Sequence, residues 1–191
     1  NFLDKRGYRT GEQWGYEVKL PSGFWGESNR KDKKSISHWR NQGLTLANGS
    51  PLPSTLGSAG LLLTAGTDGP AFLVGKNFDT FYSYNASENY ALAIAHLSDL
   101  IAREDSSKTD FVTTWPTDDP GISRQQSKDI QQALLNAGYD IGEVDGIIGD
   151  NTRAAIQQYQ SSHGIFPADG RAGQKFYRAI VGNSAASTSQ Y

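Results

Sequence analysis

The strongest constraint on the fold lies between residues 123 and 181, where helical patterns alternate with glycine-rich turns. Ser123, followed three residues later by Gln126, predicts a capping box at the start of a helix. Apolar residues then recur with helical spacing, and Gly138 predicts the end of that helix. A second helix that ends before Gly164 and a third, shorter helix complete a compact three-helix domain. The residues predicted to face its core are Ile130, Ala133, Leu134, Ala137, Thr152, Ala155, Ile156, Tyr159, Phe176, Tyr177, Ile180 and Val181.

The first two helices of this stretch form an internal repeat. Each is followed by an Asp-Gly pair, Asp145-Gly146 after the first and Asp169-Gly170 after the second. Asp-Gly favours a tight turn, because glycine adopts positive φ readily and aspartate bonds its own backbone. At an offset of 26 residues, the repeat aligns Gln131, Leu134 and Gly138 with Gln157, Gln160 and Gly164.

Residues 1–103 predict a mixed α+β domain. Alternating Tyr16, Val18 and Leu20 predict a strand, and the apolar runs 61–64 and 71–74 predict a hairpin across a glycine turn. Short helices are expected at 1–6 and 35–41. The longest helix is expected at 87–103, with a Ser87 N-cap and an apolar stripe. That stripe comprises Tyr90, Leu92, Ile94, Leu97, Leu100 and Ile101.

Two polar segments divide the rest of the chain. Residues 104–122 are rich in acidic residues, proline and glycine and predict a linker, although Phe111 and Trp115 are expected to pack against a neighbouring domain. Residues 182–191 are small and polar and predict a disordered tail. The predicted order is therefore an α+β domain at 1–103, a linker, a three-helix domain at 123–181 and a tail.

Composition excludes several classes of function. The net charge of −2 and a pI near 5.9 give no electrostatic basis for nucleic-acid binding. The chain has no cysteine, and His38, His96 and His163 are too scattered to predict a metal site. No apolar run approaches the ~20 residues of a membrane span. Because the chain starts at Asn1 and contains no methionine, we interpret it as a processed product or a fragment.

Residues 123–181 resemble the peptidoglycan-binding domain found at the ends of many cell-wall hydrolases. The resemblance implies peptidoglycan as the partner, and most matched residues are expected to be core or turn residues. Wall contact is then expected from exposed groups along a groove between the glycine-rich loop and the second helix: Tyr139, Asp145, Arg153 and Gln157. The residues that carry the resemblance are Gln131, Leu134, Gly138, Tyr139, Gly142, Asp145-Gly146, Gly149, Thr152, Ala155-Ile156, Tyr159-Gln160, Gly164 and Asp169-Gly170.

Residues 1–103 resemble the C-terminal part of the catalytic domain of B-type lytic murein transglycosylases. The resemblance implies part of a lysozyme-like domain and cleavage of the β-1,4 link between N-acetylmuramic acid and N-acetylglucosamine, giving a 1,6-anhydro product without a cofactor. The residues that carry it are Asn1-Phe2-Leu3, Gly7-Tyr8, Gly11, Trp14 to Val18, Leu20-Pro21, Gly23-Phe24, Trp39, Gly43-Leu44, Phe72 to Val74, Asn77-Phe78, Tyr84-Asn85 and Tyr90-Ala91.

The family's catalytic acid is a glutamate in a Trp-Gly-x-Glu-Ser motif upstream of the part that matches here. No residue of this chain is therefore assigned as catalytic, and the chain alone is expected to be inactive. The parent protein is expected in the periplasm as a monomer bound to peptidoglycan glycan strands, with association with the outer membrane left open.

Tyr84, Asn85 and Tyr90 are the candidate substrate-binding residues of the first domain. In the resembled family the matching residues face the glycan cleft near the acid. A tyrosine ring can stack on the apolar face of a sugar, and an asparagine amide can both donate to and accept from an acetamido group. The alternative is that Tyr90 is helix core and Asn85 a turn residue.

The segment Trp25-Gly26-Glu27-Ser28 looks like the catalytic motif but lacks its intervening residue. It also leads into the charged run Arg30–Lys34, whereas a general acid needs apolar burial to raise its pKa. We therefore expect Glu27 in a surface loop and the charged run in a solvated loop, contact with anionic wall polymers being the alternative for the run.

Two other functions remain open from the sequence. The chain could be a non-catalytic wall-binding protein whose first domain is a scaffold. Alternatively, Glu27 could act in a small autonomous hydrolase. Turbidity clearing of purified sacculi would separate these functions.

Overall fold

The computed structural model describes residues 2–24, 26, 28–102 and 111–188, with side chains described up to residue 182. The chain divides into two compact units, Asn1–Trp115 and Pro116–Tyr191. In the described part of the chain, no helix combines the length and apolar content needed to cross a membrane.

The first unit is built on one antiparallel sheet with helices on both sides. The strand order is β2-β4-β5-β1-β3, and the predicted hairpin is confirmed, with Leu61 opposite Leu73 and Leu62 opposite Phe72. Its elements are α1 Phe2–Lys5, β1 Gly15–Lys19, β2 Asn29–Ser35, α2 Ile36–Asn41, β3 Thr45–Leu46, a 3-10 turn Ser54–Leu56, β4 Ser58–Leu62, β5 Ala71–Val74, α3 Lys76–Asn85 and α4 Glu88–Ala102.

The two central strands bury both of their faces. Leu61 and Leu73 pack on the side of α2, whereas Leu62 and Phe72 pack against α3 and α4. Because successive side chains of a strand point to opposite faces, an uninterrupted apolar run is what such a doubly covered strand requires. The sheet thus gives α3 and α4 a rigid base.

Helix α4 begins as predicted but buries less of its apolar stripe than expected. Ser87 caps it, since Tyr90 N donates to Ser87 Oγ at 3.3 Å. Ala91, Leu92 and Ala95 are buried, but Tyr90, Leu97 and Ile101 are 36%, 50% and 77% exposed. The apolar stripe is therefore only partly buried, because Leu92 and the small alanines form the face that meets the sheet.

The predicted solvated loop at Arg30–Lys34 is a strand, β2, paired antiparallel with β4. Arg30 is only 8% exposed, although Lys31, Asp32 and Lys34 point into solvent. The loop prediction was wrong because edge strands commonly carry charged side chains, which disguise them in a sequence.

The described part of the predicted linker is packed: residues 111–113 contact the first unit, and Asp119 contacts the second. Phe111 lies 5.0 Å from Phe72 and 4.2 Å from His96 between ring centroids, which agrees with its predicted packing. The backbone amides of Val112 and Thr113 donate to the Glu17 carboxylate at 2.8 Å each. Residues 104–110 of the linker, together with residue 103, lie outside the described residues.

The second unit is the predicted three-helix module, made of α5 Arg124–Asn136, α6 Asp150–Ser162 and α7 Gln174–Thr188. The Ser123–Gln126 capping box is present, and Gly138 takes φ +87° just after α5. The helices share one core, formed by Ile130, Ala133, Leu134, Ile141, Ala155, Ile156, Tyr159, Phe176 and Ile180.

Two predicted boundaries of the module differ in the structure. Helix α7 continues to Thr188, so it is longer than α5 and α6. The tail that was expected to be disordered is helical up to that residue, because it contains alanines, which favour helix. At the other end, Asp119 Oδ1 accepts from Lys175 N at 2.8 Å and Asp119 Oδ2 pairs with Arg171 Nε at 3.0 Å. The end of the predicted linker therefore caps α7.

The internal repeat exists in the structure, but with different partners. Gly146 N donates to Gln131 Oε1 at 2.7 Å, and Gly170 N donates to Gln160 Oε1 at 2.9 Å. Each buried glutamine thus holds the turn of one Asp-Gly pair. Gln131 corresponds to Gln160 rather than to Gln157, because the loops between helix and turn differ in length.

Candidate functional site

The turn between α3 and α4 carries the three substrate-binding candidates of the first unit. Asn85 is the last residue of α3, and Ala86 closes the helix with φ 47° and ψ 33°. This left-handed conformation costs a residue with a Cβ roughly 1 kcal/mol, so the neighbouring structure must hold it. Ala86 N donates to Tyr82 O at 2.7 Å, which reverses the chain so that α4 can start at Glu88.

Tyr84 and Tyr90 lie side by side on this turn. Their ring centroids are 6.1 Å apart with an interplanar angle of 17°, and Tyr84 is 67% exposed. Phe2 of α1 meets Tyr84 edge-on at 5.6 Å and is 41% exposed. We call Phe2, Tyr84 and Tyr90 the aromatic platform.

The platform has the properties of a carbohydrate-binding surface. Its three side chains are partly exposed to solvent, and the tyrosine hydroxyls and the exposed Asn85 amide provide hydrogen-bonding groups. A sugar ring has the same division, with apolar C–H faces and polar rim. The structure thus brings Tyr84, Asn85 and Tyr90 together, and it leaves Tyr90 partly exposed rather than in the core.

In the module, the wall-contact candidates Asp145 and Tyr139 make hydrogen bonds within the domain. Asp145 is exposed, but its Oδ1 accepts from Gln131 Nε2 at 3.0 Å and from Ile147 N at 2.8 Å. The Gln131 bond, with the Ile147 amide second, lowers the pKa of Asp145 below its ordinary value. Tyr139 bonds through its hydroxyl to Ser162 Oγ at 3.0 Å and packs its ring against Tyr159.

The other two candidates lie on α6. Arg153 and Gln157 are one turn apart on the same face, and the Gln157 amide donates to Ala168 O at 3.0 Å. Asp145 bonds to Gln131, which in turn bonds to Thr152 near the start of α6. Tyr139 bonds to Ser162 at the end of the same helix, about 15 Å further along its axis. The four residues therefore do not form one cluster.

Comparison with known proteins identifies the first unit. The transglycosylase SLT domain model matches residues 1–99 of the 191-residue chain. This chain belongs to the transglycosylase SLT domain family. The peptidoglycan binding domain model matches residues 123–180, which are the three helices of the module. Both resemblances found in the sequence are confirmed.

Two crystal structures of SltB3 from Pseudomonas aeruginosa are similar to this SLT-domain chain. The complex with NAG-anhNAM-pentapeptide is 40% identical, with a TM-score of 0.86, and the match covers 94% of this chain and 48% of that chain. The complex with NAG-NAM-pentapeptide is 41% identical, with the same TM-score and coverage. The SLT-domain chain therefore spans about half the length of these relatives. No curated protein matched the chain.

Within this SLT-domain chain, the sequence interpretation missed several exposed or supporting residues. Phe2 was read only as part of a helix end, and Arg30 was hidden in a charged run. Ile147 and Phe166 of the module are 62% and 74% exposed. The pair Ile147-Ile148 in a glycine-rich turn was a usable signal, because one of two adjacent apolar residues commonly faces solvent there.

Glu27, the one residue considered for catalysis, lies outside the described residues. Among the residues that the structure describes, no group of three His, Asp or Glu side chains could hold a metal ion.

Proposed function

We propose that this chain supplies two parts of a lytic murein transglycosylase. Its first unit forms one side of the glycan cleft, and its module binds the cell wall. The reaction cleaves the β-1,4 link between N-acetylmuramic acid and N-acetylglucosamine and leaves a 1,6-anhydromuramoyl end. Membership of the SLT domain family and the match of the module to a peptidoglycan-binding domain support this function. The expected location is the periplasm, where the protein acts as a monomer on glycan strands; association of the parent with the outer membrane is a further expectation.

The aromatic platform is the observation that carries the proposal. Burying an aromatic ring stabilises a protein or a complex, so a pair of stacked rings that stays exposed is expected to be buried by a ligand. Tyr84 and Tyr90 occupy the positions at which the resembled family lines its cleft, and Asn85 lies between them. In this proposal the rings stack on the sugar and Asn85 binds its acetamido group.

The proton donor of the reaction is proposed to lie outside this chain. A single glutamic acid would protonate the departing oxygen and then, as a carboxylate, take the proton of the muramyl 6-hydroxyl as that oxygen attacks C1. This chain would hold the glycan in position for both steps. A relative bound to NAG-anhNAM-pentapeptide, a compound with the anhydro end, supports this product.

The module is proposed to hold the chain on the wall. Of the four candidates, Arg153 and Gln157 share a helix face, and Tyr139 and Asp145 lie toward opposite ends of that helix. We propose that all four contribute to one elongated contact with peptidoglycan. An elongated contact suits a polymer, because successive sugars or peptides can meet successive residues.

Purified sacculi test the proposal directly. The full chain is expected to sediment with sacculi and to release no anhydromuropeptides, as judged by mass spectrometry of the supernatant. Failure to sediment would contradict the binding function. Release of hydrated muropeptides that disappears in Glu27→Gln would instead establish the autonomous hydrolase, and release of anhydro products that disappears in the same variant would make Glu27 the acid of a transglycosylase complete in this chain.

Soluble glycan separates the proposal from the non-catalytic alternative. In an NMR titration with a GlcNAc-MurNAc tetrasaccharide, the ring signals of Tyr84 and Tyr90 are expected to shift with saturation. If the module binds sacculi but these ring signals never move, the first domain is a scaffold and the alternative holds.

A further inference from the structure

Arg30 lies at the centre of a partly buried ion-pair network on the helices that carry Tyr84 and Tyr90. Its Nη1 is 3.0 Å from Asp79 Oδ1 and its Nε is 3.5 Å from Glu88 Oε1. Its guanidinium carbon lies 3.5 Å from the centroid of the Tyr82 ring, a cation–π contact. The Arg30 side chain is 9% exposed, and the two carboxylates are 23% and 22% exposed.

Lys33 completes the network and balances its charge. Its Nζ is 3.0 Å from Asp79 Oδ2 and donates to Arg30 O at 2.8 Å. Two cations and two carboxylates thus share one partly buried site. Buried ion pairs add little net stability compared with apolar packing, so the arrangement invites an explanation other than stability.

The network joins the two helices that carry the platform. Asp79 and Tyr82 belong to α3, Glu88 is the first residue of α4, and the turn between the helices contains the strained Ala86. Lys33 pairs with the carboxylate of α3 alone, whereas Arg30 hydrogen-bonds to Asp79 of α3 and forms a looser ion pair with Glu88 of α4. Arg30 therefore spans the turn as a clamp.

Strand β2 anchors this clamp in the sheet. Arg30 belongs to β2, and its backbone approaches Gly60 of β4 so closely that a Cβ there would lie 2.3 Å from Arg30 O. The close approach fixes the position of Arg30 relative to the central strands. The Arg30 guanidinium thus links the position of the sheet to that of the α3–α4 turn.

We propose that Arg30 is a positioning residue for glycan recognition. By holding Asp79 and Glu88 together, it keeps the Tyr84 and Tyr90 rings aligned so that adjacent sugars of a β-1,4-linked amino-sugar strand stack on them. Arg30 itself does not touch the glycan. The inference rests on the proposed function, since it assigns a support to the proposed glycan-binding rings.

Two matched variants of the full chain test this role. Glu88→Gln and Lys33→Met each remove one ion pair of the network, but only the first releases α4 from Arg30. The measurements are the NMR affinity for the GlcNAc-MurNAc tetrasaccharide at the Tyr84 and Tyr90 rings, and urea unfolding of the first unit. All four tryptophans lie in that unit, so their fluorescence reports its unfolding.

The positioning role predicts similar stability losses but different affinity losses. Arg30→Met should lose about tenfold in affinity, the value of one aligned aromatic contact, and Glu88→Gln a few-fold. Lys33→Met should keep its affinity. Equal affinities in Lys33→Met and Glu88→Gln would overturn the inference, because a purely structural network would make affinity follow stability.

The remaining outcomes also decide between explanations. If the wild-type rings show no shift with the glycan, the proposed function fails and not merely the clamp. If Arg30→Met does not fold, Glu88→Gln still decides, because it leaves the Arg30–Asp79 pair intact. Sedimentation with sacculi should be unchanged in all folded variants, since the module binds independently of Arg30.

Discussion

The two units use similar polar and aromatic residues in opposite ways. In the first unit, Tyr84 and Asn85 are exposed at the end of α3, and Arg30 pairs with Asp79 and Glu88 on the two helices that flank the turn. In the module, Gln131 and Gln160 are buried, and their amides hold the two Asp-Gly turns. The candidate binding residues of the first unit therefore point outward, whereas Gln131 and Gln160 of the module point inward.

This difference shows what a family signature can locate. A motif in a small domain identifies the residues needed to fold it, because a short chain has few alternatives for satisfying its turns. A motif at a turn above a sheet identifies a surface, because the sheet already supplies the stability. The same strength of resemblance thus marks a fold in one unit and a candidate contact in the other.

Gln131→Leu is the most severe test of the inward-pointing half of this comparison. The change removes the amide that accepts from Gly146 N and donates to Asp145 Oδ1 and Ile147 O. Leaving those groups unpaired should lower the free energy of unfolding of the module by about 3 kcal/mol. Urea unfolding followed by the amide signals of residues 123–181 measures this loss.

Gln132→Leu is the matched control for that variant. Gln132 is exposed on the next position of α5 and pairs locally with Asn136. It should change the unfolding free energy by less than about 0.5 kcal/mol. Equal effects of the two variants would mean that Gln131 is not the internal support described above.

Tyr84→Ala tests the outward-pointing half. Because Tyr84 is 67% exposed, its loss should barely change stability, but it should weaken binding of the GlcNAc-MurNAc tetrasaccharide about tenfold. Phe166→Ala, which removes a 74% exposed ring from the module, should leave that affinity unchanged. An unchanged affinity in Tyr84→Ala would remove the functional contrast between the units.

Most of the helices and the central hairpin could be predicted from the sequence, since capping residues and apolar periodicity are local signals. The strand containing Arg30 could not, because its charged side chains resemble those of a solvated loop. The partners of Arg30, Asp79 and Glu88, lie far along the chain, and only the folded sheet brings them together. The α3–α4 candidates were found through the family resemblance, whereas their support depends on tertiary contacts.

Ala86→Gly separates stability from function at the platform. Glycine adopts φ 47° without the Cβ penalty, so the first unit should gain up to about 1 kcal/mol in unfolding free energy. The freer turn should nevertheless hold Tyr84 and Tyr90 less firmly and bind the tetrasaccharide a few-fold more weakly. Tryptophan fluorescence in urea gives the first quantity and the NMR titration the second. A variant that improved in both would argue against a turn held for binding.

Acid titration is expected to give the smallest effect. It tests whether Asp145 stabilises the module or contacts peptidoglycan. Hydrogen bonds from the Gln131 amide and Ile147 N lower the pKa of Asp145 below 3.8, its ordinary value. In the unfolded chain those bonds are absent, so ionised Asp145 stabilises the module above about pH 4 and stops doing so as the pH falls through the folded-state pKa.

Asp145→Asn should therefore lower the module's stability at neutral pH and flatten its dependence on pH below about 4, measured by urea unfolding at each pH. High salt should leave this effect in place, because it comes from hydrogen bonds. High salt should weaken part of the contribution of Asp118, whose pKa is lowered first by a hydrogen bond from the exposed Lys175 ammonium and second by the charge of that ammonium, which salt screens. If Asp145→Asn instead kept its stability and lost sedimentation with sacculi, Asp145 would be a wall contact, and the module would share the outward-pointing design of the first unit.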